Sequence, residues 1–492
     1  MATARLTTNR TAARTLGEAL RNVGFSEDEL SELLGDDAFP GERGDVPVSE
    51  RRLRDTALGT VVRALFLQLP TSTDEAVRAL GRPAVDALEE TGVADVTDEV
   101  VANLRILPIG SLLVASDDFP SDDEDNPPDY VVAYSPTSQL LAALTPRRRV
   151  ERALDVGTGS GVQALFAARH AKHVVATDVN PRALAYTALN AGLNGMRNVE
   201  CRLGSLFEPA GDETFDLVTC NAPYVVSPEN RWTYRDSGFR ADEISERVVR
   251  GAAAHLADGG FATMLVSWLA HDEDEPDERL LEWTEDIGCD SWIIPIWGSD
   301  ALDHAATWND ELAGKPQQYG AAIDRWTDYL ADLGVRWVTE GAVLLHRRAG
   351  DEFTARVDEV DEEDLDEAGE QIQRAFAARE RLGRLRRPAD LLDERLAVAA
   401  PLLLEHELEP RKGRTAVVAA SLQLAGGTNM TVEGSPRVLE VVASLDGGAP
   451  LGDRIRSAAE QLQLSESEAS RLGREVLEVS RELLEVGALR FD

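Results

Sequence analysis

The chain has 492 residues, of which 43% are hydrophobic and 28% are charged, and it is long enough to bury more than one hydrophobic core. These fractions are typical of soluble globular proteins and exclude a mostly disordered or collagen-like chain. Acidic residues number 88 and basic residues 50, for a net charge of −38. Loose binding to nucleic acid or to an anionic membrane is therefore disfavoured, because phosphate groups would be repelled.

Cysteine and targeting patterns indicate a reducing compartment. Cys201, Cys220 and Cys289 are too few and too scattered for a disulfide framework or a paired-cysteine metal site. Residues 1–14 are polar and carry no apolar signal core, and no stretch approaches 18 uncharged apolar residues. The histidines show no zinc-type spacing, so we assign no metal. We expect a cytoplasmic protein without a membrane segment.

The N-terminal region, residues 1–128, is predicted to be a helical, winged-helix-like domain. Apolar residues recur at helical spacing over 10–35 and 50–105, and two short strands are expected on either side of Gly110. An acidic, proline-bearing stretch at 117–129 is typical of an exposed linker.

The central region, residues 129–350, alternates apolar strand-like runs with helical segments, which indicates βαβ units and a parallel sheet. The fold class is therefore α/β and Rossmann-like. The seven predicted strands are Ala153–Val156, Val174–Asp178, Val199–Arg202, Leu217–Cys220, Phe261–Val266, Trp292–Ile296 and Val343–His346.

The C-terminal region, residues 351–492, is predicted to be an α+β domain that ends in a second winged-helix-like unit. Strands are expected at 417–424 and 438–442, followed by a turn at 445–448 and then two helices. An arginine-rich stretch at 374–387 precedes them.

A glycine motif carries the first chemical signal. The strand ending Leu154-Asp155-Val156 runs into Gly157-Thr158-Gly159-Ser160-Gly161, and a helix follows. Glycines at alternate positions let the backbone turn sharply and approach a ligand closely. The spacing is not that of a dinucleotide fingerprint, because Val162 stands where its last glycine would be. Asp155 would repel a pyrophosphate and suits a cationic ligand group better.

The second signal is a strand, Val174–Asp178, that ends in a carboxylate. A carboxylate at this place can accept hydrogen bonds from both hydroxyl groups of a ribose. Asn180 and Pro181 then favour the start of a helix.

Together these motifs resemble the class I S-adenosylmethionine-dependent methyltransferases, over roughly residues 134–348. The resemblance implies a seven-stranded core and S-adenosyl-L-methionine as cofactor. Gly204–Glu208 is similar to the family's adenine-flanking segment, with Ser205 where the family often has aspartate. The implied cofactor-binding residues are Asp155, Gly157, Thr158, Gly159, Gly161, Asp178, Val179, Ser205, Leu206 and Asn221.

The third signal, Asn221-Ala222-Pro223-Tyr224, resembles the Asn-Pro-Pro-Tyr motif of methyltransferases that act on planar NH2 groups. Their acceptors are glutamine amides, N6 of adenine and N2 of guanine. The Asn221 side-chain oxygen and the Ala222 carbonyl can accept both N–H bonds of such a group. Pro223 stiffens the loop, and Tyr224 can stack on the planar group. Ala222 replaces the first proline, which keeps the carbonyl and loses some rigidity.

The substrate class stays open between four readings. A protein glutamine amide fits the acidic balance best. A nucleic-acid base would need an arginine-rich groove, for which residues 374–387 are the candidate. The third alternative is a small-metabolite substrate, and the fourth is a non-catalytic binding module. Trp232 and Tyr234 are expected to touch the substrate, and Tyr134–Ser138 to cover the cofactor. Because every recognisable cofactor residue lies between 155 and 221, the terminal domains are not expected to be needed for cofactor binding.

Overall fold

The computed structural model describes residue 6 and residues 9–35, 43–117, 127–229, 235, 238–271, 276–350, 352–360, 365, 367–411 and 414–492. Two compact units form. The first contains Met1–Leu141 and Arg148–Val357, and the second contains Ala142–Arg147 and Asp358–Asp492. The first unit holds both the N-terminal helices and the central sheet. The division into three domains stays a prediction, because one compact unit can contain two domains.

The N-terminal part of the first unit is mainly helical, as its apolar spacing predicted. Its helices are α1 (Arg10–Asn22), α2 (Glu27–Leu34), α3 (Val46–Arg52), α4 (Ala57–Val61), which continues into a π-helical turn (Val62–Phe66), α5 (Thr73–Leu80) and α6 (Arg82–Thr91). Its strands are β1 (Thr71–Ser72), β2 (Ala94–Val96), β3 (Glu99–Ala102), β4 (Arg105–Ile109) and β5 (Leu112–Ser116).

The predicted strands around Gly110 are present as the antiparallel hairpin β4–β5, with Gly110 at φ +53°. Strands β1, β3 and β2 form a separate three-stranded sheet that the sequence analysis did not predict. These strands are two to four residues long, and runs so short give little alternation to detect.

The central sheet contains all seven predicted strands and one more. Its members are β6 (Val150–Val156), β7 (Ala171–Asp178), β8 (Val199–Leu203), β9 (Phe215–Cys220), β10 (Leu256–Ala270), β11 (Asp290–Asp300), β12 (Trp337–His346) and β13 (Ala355–Val357). The expected count of seven is therefore wrong by one edge strand, β13, which pairs with β11 beyond the predicted boundary at residue 350. A three-residue strand with one charged residue has too little apolar content to be predicted.

The order of the central sheet is β13-β11-β12-β10-β9-β6-β7-β8, and β12 alone among these eight runs antiparallel to its neighbours. The chain leaves β6 for β7 and β8 on one side and returns to β9 on the other. A crevice opens at such a reversal, outside the carboxyl ends of the strands, and it is the usual ligand site of open α/β sheets.

Helix α7 (Pro136–Leu144) precedes the first strand of this sheet. The helices between its strands are α8 (Val162–Ala168), α9 (Pro181–Leu193), α10 (Glu243–His255), α11 (Glu278–Thr284), α12 (Ala301–Thr307) and α13 (Pro316–Asp332). Helix α9 starts as predicted, with Asn180 as its N-cap and Pro181 in its first turn.

Helix α9 also packs against the N-terminal elements α1 and β5. A Cβ on Gly17 of α1 would lie 2.0 Å from the Leu193 carbonyl oxygen, so glycine is required for this close helix contact. The Asn190 side chain accepts from the Ala115 N–H at 2.7 Å and donates to the Ala115 carbonyl at 2.9 Å. The Asn194 side chain accepts from the Leu113 N–H at 3.0 Å and donates to the Leu113 carbonyl at 2.7 Å. Strand β5 is thereby fixed on α9.

The second unit is α+β in composition. Its elements are α14 (Gly369–Gly383), β14 (Arg395–Val398), β15 (Leu402–Arg411), β16 (Arg414–Leu424), β17 (Thr431–Gly434), α15 (Pro436–Ala443), β18 (Asp446–Pro450), α16 (Leu451–Gln461), α17 (Glu466–Glu485) and β19 (Leu489–Phe491). They form the sheets β15-β16-β17 and β18-β14-β19.

Two predictions in this unit are wrong, while the strand at 417–424 and the two closing helices are confirmed. Residues 438–442 belong to helix α15, because Val438, Leu439, Val441 and Val442 are buried along one helical face and Pro436 fits the first turn. The turn expected at 445–448 lies largely within β18, which pairs with β14. Among the described residues, no helix is both long and apolar enough to span a membrane.

Candidate functional site

A cavity of about 590 Å³ opens at the carboxyl ends of β6, β7 and β9, in the crevice that the strand order creates. This volume is in the range of small-molecule sites, roughly 300–1,000 Å³. Of the predicted cofactor-binding and catalytic residues, all but Gly161 line it. These are Asp155, Gly157, Thr158, Gly159, Asp178, Val179, Ser205, Leu206, Asn221, Pro223 and Tyr224. Their individual roles stay predictions.

The three glycines of the motif have positive φ angles but serve different purposes. Gly161 precedes α8 at φ +87°, and a Cβ there would lie 2.8 Å from Thr187 Oγ1, so it permits close packing behind the cavity. Gly157, at φ +68°, would bring a Cβ within 3.3 Å of Ala222 Cα. Gly159, at φ +55°, would meet no protein atom within 4 Å. The loop is therefore open toward a ligand at Gly159 and closely packed at the other two glycines.

Asp155 anchors the glycine loop from within. Its side chain is 2% exposed and accepts hydrogen bonds from Thr158 Oγ1 at 2.7 Å, Thr219 Oγ1 at 2.9 Å and the Ala164 N–H at 3.1 Å. Burial raises the pKa of Asp155 to about 6, although these hydrogen bonds act in the opposite direction. The carboxylate thus ties β6, β9 and α8 around the loop.

Asp178, at the end of β7, holds the other side of the loop. Its Oδ2 accepts from the Gly159 N–H at 2.9 Å, and its Oδ1 accepts from the Asn180 N–H at 2.8 Å. Burial raises the pKa of Asp178, and the backbone hydrogen bonds oppose that rise. Each carboxylate oxygen can accept a further bond, so the group is equipped to receive two hydroxyls of a ribose.

The neighbouring wall suits a flat apolar group. Val179 lines the cavity with 55% of its surface exposed, which is unusual for valine. Ser205 and Leu206 also line the cavity, and Leu206 has φ +47° with its carbonyl accepting from Thr177 Oγ1 at 3.1 Å. Val179 and the Ser205 hydroxyl are both available to an aromatic ring bound in the cavity.

The loop Asn221–Tyr224 closes the cavity beside the glycine motif. Asn221 Nδ2 donates to Thr137 Oγ1 at 3.4 Å, which leaves Asn221 Oδ1 as the acceptor for a ligand. Ala222 is buried, and its N–H donates to the thiol of Cys220, whose pKa burial raises to about 12. The Tyr224 carbonyl accepts from the Ser267 hydroxyl, which ties the loop to β10.

The segment expected to cover the cofactor lies at the cavity. Ser135, Thr137 and Ser138 line it, and Gln163 Nε2 donates to the Ser138 carbonyl at 2.8 Å. The preceding residues Tyr130–Ala133 also line the cavity, and nothing in the sequence marked them.

The cavity is also lined by residues that the sequence analysis did not assign to the site, namely Arg235, Gly238, Phe239, Ile244 and Trp308. Arg235 is buried, and its Nη2 donates to Glu229 Oε2 at 3.0 Å. Trp308 Nε1 donates to Glu340 at 2.9 Å. Trp232 and Tyr234, which were expected to touch the substrate, lie outside the described residues.

Comparison with known proteins agrees with this architecture. Residues 134–271 match the family described as methyltransferase small domain, and residues 22–104 match a domain of unknown function (DUF7059). The ribosomal protein uL3 glutamine methyltransferase of Bradyrhizobium diazoefficiens is 38% identical over 126 residues, which are 23% of this chain and 40% of the relative. The release factor glutamine methyltransferase of Geobacter sulfurreducens is 45% identical over 122 residues, which are 22% and 42%.

A longer match joins this chain to the release factor glutamine methyltransferase of Aquifex aeolicus, 30% identical over 171 residues, which are 31% of this chain and 59% of the relative. The chain thus spans about half the length of the curated relatives that it matches. A crystal structure of a methyltransferase from Pyrococcus furiosus aligns at 18% identity and a TM-score of 0.28, over 44% of this chain and 86% of that one.

The motifs, the sheet and the family match agree that residues 134–271 belong to a class I S-adenosylmethionine-dependent methyltransferase domain. Within that class its relatives include release factor and ribosomal protein glutamine methyltransferases, and the cofactor of the class is S-adenosyl-L-methionine.

Proposed function

We propose that this protein transfers the methyl group of S-adenosyl-L-methionine to the side-chain amide nitrogen of a glutamine in a protein substrate. The observation that carries the proposal is the contact between the two loops. A Cβ on Gly157 would lie 3.3 Å from Ala222 Cα, so the amine-binding loop adjoins the glycine loop within one cavity. The names of the relatives, which act on release factors and on ribosomal protein uL3, support the same acceptor.

The chain's own residues would solve the main difficulty of this reaction, which is that an amide nitrogen is a poor nucleophile. S-adenosyl-L-methionine supplies an electrophilic methyl group on a sulfonium. Asn221 Oδ1 and the Ala222 carbonyl accept the two N–H bonds of the amide and hold its nitrogen in line with that methyl group. The new N–C bond forms as the C–S bond breaks. The methylated nitrogen then loses one proton to solvent, so no general base is needed.

The rest of the loop supports this geometry. The hydrogen bond from Asn221 Nδ2 to Thr137 turns Oδ1 toward the acceptor. Tyr224 is buried at the cavity wall, where its ring can pack on the planar amide. Phe239 and Trp308 give the cavity apolar surface suited to the methylene groups of glutamine.

The alternative of a nucleic-acid substrate is poorly supported at residues 374–387, the stretch that was expected to form an arginine-rich groove. Five of the six arginines between 374 and 387 make hydrogen bonds within the second unit. Arg374 donates to the Gly487 carbonyl, Arg379 to the Glu485 carbonyl, Arg381 to Glu394, Arg384 to Glu380 and Arg387 to Asp390. Arginines engaged in this way are poorly placed to neutralise phosphates.

The test is incubation with methyl-labelled S-adenosyl-L-methionine and cell extract, followed by separation of protein, nucleic acid and small molecules. We expect label in protein, and peptide mass spectrometry should place it on a glutamine side-chain nitrogen. The Asn221→Ala variant serves as the control for contaminating activities. Label in nucleic acid, or on an oxygen, sulfur or carbon atom, would contradict the proposal.

A further inference from the structure

Asp117, which follows β5, is the centre of a buried polar cluster with Arg182 and Tyr186 of α9. Its side chain is 7% exposed. Tyr186 Oη donates to Asp117 Oδ1 at 2.6 Å, and Arg182 Nη1 donates to Asp117 Oδ2 at 2.8 Å. Arg182 Nη2 also bonds Oδ1, so the guanidinium meets the carboxylate with two nitrogen atoms. Bidentate pairs of this kind are strong and strictly oriented.

The same carboxylate holds one wall of the cofactor cavity. The Val131 N–H donates to Asp117 Oδ2 at 2.7 Å, and the Asp117 N–H donates to the Val131 carbonyl at 3.2 Å. Val131 belongs to Tyr130–Ala133, all four residues of which line the cavity. The other end of this segment is tied to the glycine loop, because Ser160 Oγ donates to the Ala133 carbonyl at 2.7 Å. The segment is therefore fastened on both sides.

The cluster also reaches the ribose-binding carboxylate. The Arg182 N–H donates to Asn180 Oδ1 at 2.9 Å, and the Asn180 N–H donates to Asp178 Oδ1 at 2.8 Å. Asn180 Nδ2 donates to the Asp129 carbonyl at 3.0 Å, just before the cavity wall begins. Asp117 thus stands at the junction of the wall segment with the start of α9.

The chemistry proposed above does not use this cluster, and Asp117 does not line the cavity. Stability alone is a weak reason for such a pair, since the loss of hydration of two buried charges offsets much of their attraction. What the pair does provide is a fixed position for the backbone of Val131. Preorganisation of a binding wall raises affinity, because the ligand then does not have to order it.

We propose that Asp117 is a positioning residue of the cofactor pocket, which acts through Arg182 and Val131 to hold Tyr130–Ala133 in the bound geometry before the cofactor arrives. This proposal rests on the binding of S-adenosyl-L-methionine in the cavity. It gives the N-terminal part of the chain a direct share in the site. Asp117 lies between the two matched regions, residues 22–104 and 134–271, so neither match covers it.

The test is calorimetric titration of S-adenosyl-L-methionine into the full chain and three variants. Asp117→Asn keeps the shape of the side chain and removes its charge. Tyr186→Phe removes the hydroxyl that donates to Asp117 and accepts from Arg182 Nη2 at 3.4 Å. Asp290→Asn is the matched control, because Asp290 is also buried and does not line the cavity. It meets Arg348 with two nitrogen atoms and accepts from the Thr354 N–H at 2.8 Å.

We expect Asp117→Asn to raise the Kd about tenfold or more and Tyr186→Phe to raise it roughly two- to fivefold, as for lost hydrogen bonds to a charged group. Asp290→Asn should stay within about twofold of wild type, since it leaves the cavity wall untouched. Hydrogen exchange gives a second readout. In Asp117→Asn without cofactor, the amides of Val131 and Val132 should exchange faster than in wild type, and saturating cofactor should slow them again.

The outcomes separate the two proposals. Wild-type protein without affinity for S-adenosyl-L-methionine would overturn the proposed function and this inference with it. If the wild type binds S-adenosyl-L-methionine and Asp117→Asn binds it with the same Kd, the positioning role alone is overturned. The same holds if Asp290→Asn loses as much affinity as Asp117→Asn. If Asp117→Asn does not fold, Tyr186→Phe decides, and unchanged Kd and exchange in that variant would overturn the inference.

Discussion

Gly159 and Asp178 are joined by a hydrogen bond of 2.9 Å from the amide of the glycine loop to the carboxylate at the end of β7. Two motifs that lie 19 residues apart in the chain are thereby tied to each other at the cavity. A ligand that bonds Asp178 is consequently presented to the open side of Gly159. The first prediction concerns this carboxylate.

Asp178→Ala should weaken S-adenosyl-L-methionine binding by about 1.5–3 kcal/mol, the scale of hydrogen bonds to a charged group. Asp216→Ala is its matched control. Asp216 is also half-buried and accepts two backbone N–H bonds at 3.0 Å, but at the opposite end of the sheet. Calorimetry should show an affinity loss for the first variant only. If Asp178→Ala bound the cofactor as tightly as the wild type, the assignment of Asp178 to the ribose would be wrong.

Gly157→Val should abolish cofactor binding, because the side chain requires an unfavourable φ and pushes against Ala222 at the junction of the two loops. The clash lies on the acceptor loop. Gly211→Val is the control. Gly211 has a similar φ of +57° and no neighbour within 4 Å of a built Cβ. Retained binding in Gly157→Val would refute the close packing.

Asn221→Ala should lower kcat on the order of 100-fold while cofactor affinity stays nearly unchanged, since it removes one preorganised contact at the reacting nitrogen. Asn221→Asp should be less damaging, because a carboxylate still accepts N–H bonds. Steady-state kinetics and cofactor titration on each variant are the measurements. Full turnover in Asn221→Ala would exclude a planar nitrogen as the acceptor.

Ala222→Pro should be tolerated with turnover reduced by less than about threefold. Proline keeps the carbonyl and removes only the N–H that faces the Cys220 thiol, which is a weak acceptor. Cys220→Ala should leave turnover equally intact, because it removes the other partner of the same contact. A large loss in Ala222→Pro beside an active Cys220→Ala would show that the backbone of this loop cannot accept proline.

Asp155 should make folding stability depend on pH between about 4 and 6. Its folded-state pKa of about 6 lies above the ordinary 3.8, so the folded protein holds the proton more tightly. The corresponding stability is present below pH 4 and is lost as the pH rises to 6, by roughly 3 kcal/mol. Denaturant unfolding of wild type and Asp155→Asn across this range is the measurement. Parallel pH profiles for the two proteins would contradict the raised pKa.

The parts of the site that the sequence predicted are those with local signals. Gly157, Gly159 and Gly161 all have positive φ, and the strands before them and at Asp178 are apolar runs of ordinary length. Each feature is fixed within a few residues, so spacing alone located it. The alternation of strands and helices likewise predicted the central sheet, apart from the short edge strand β13.

The remaining parts depend on contacts between distant segments. Arg235 and Trp308 reach the cavity from loops whose sequences carry no periodic signal. Asp117 looked like the first residue of an acidic linker, and only its partners on α9 reveal it as buried. The role proposed for Asp117 runs against the expectation that the terminal domains are not needed for cofactor binding, which stays a prediction. The strand prediction for residues 438–442 was wrong for a different reason. Their valines favour strands, whereas the buried face has helical spacing.

The two asparagines of α9 have a consequence for the outer edge of strand β5. One helical turn separates Asn190 from Asn194, about the distance between alternate residues of a strand, so their amide groups imitate a neighbouring strand along β5. An isolated two-stranded hairpin is marginal in water, and its bare edge invites pairing with another chain. Here side chains of a helix occupy that edge at residues 113 and 115. The β5 edge of the hairpin is thereby occupied within its own molecule and closed to strand pairing with a second copy.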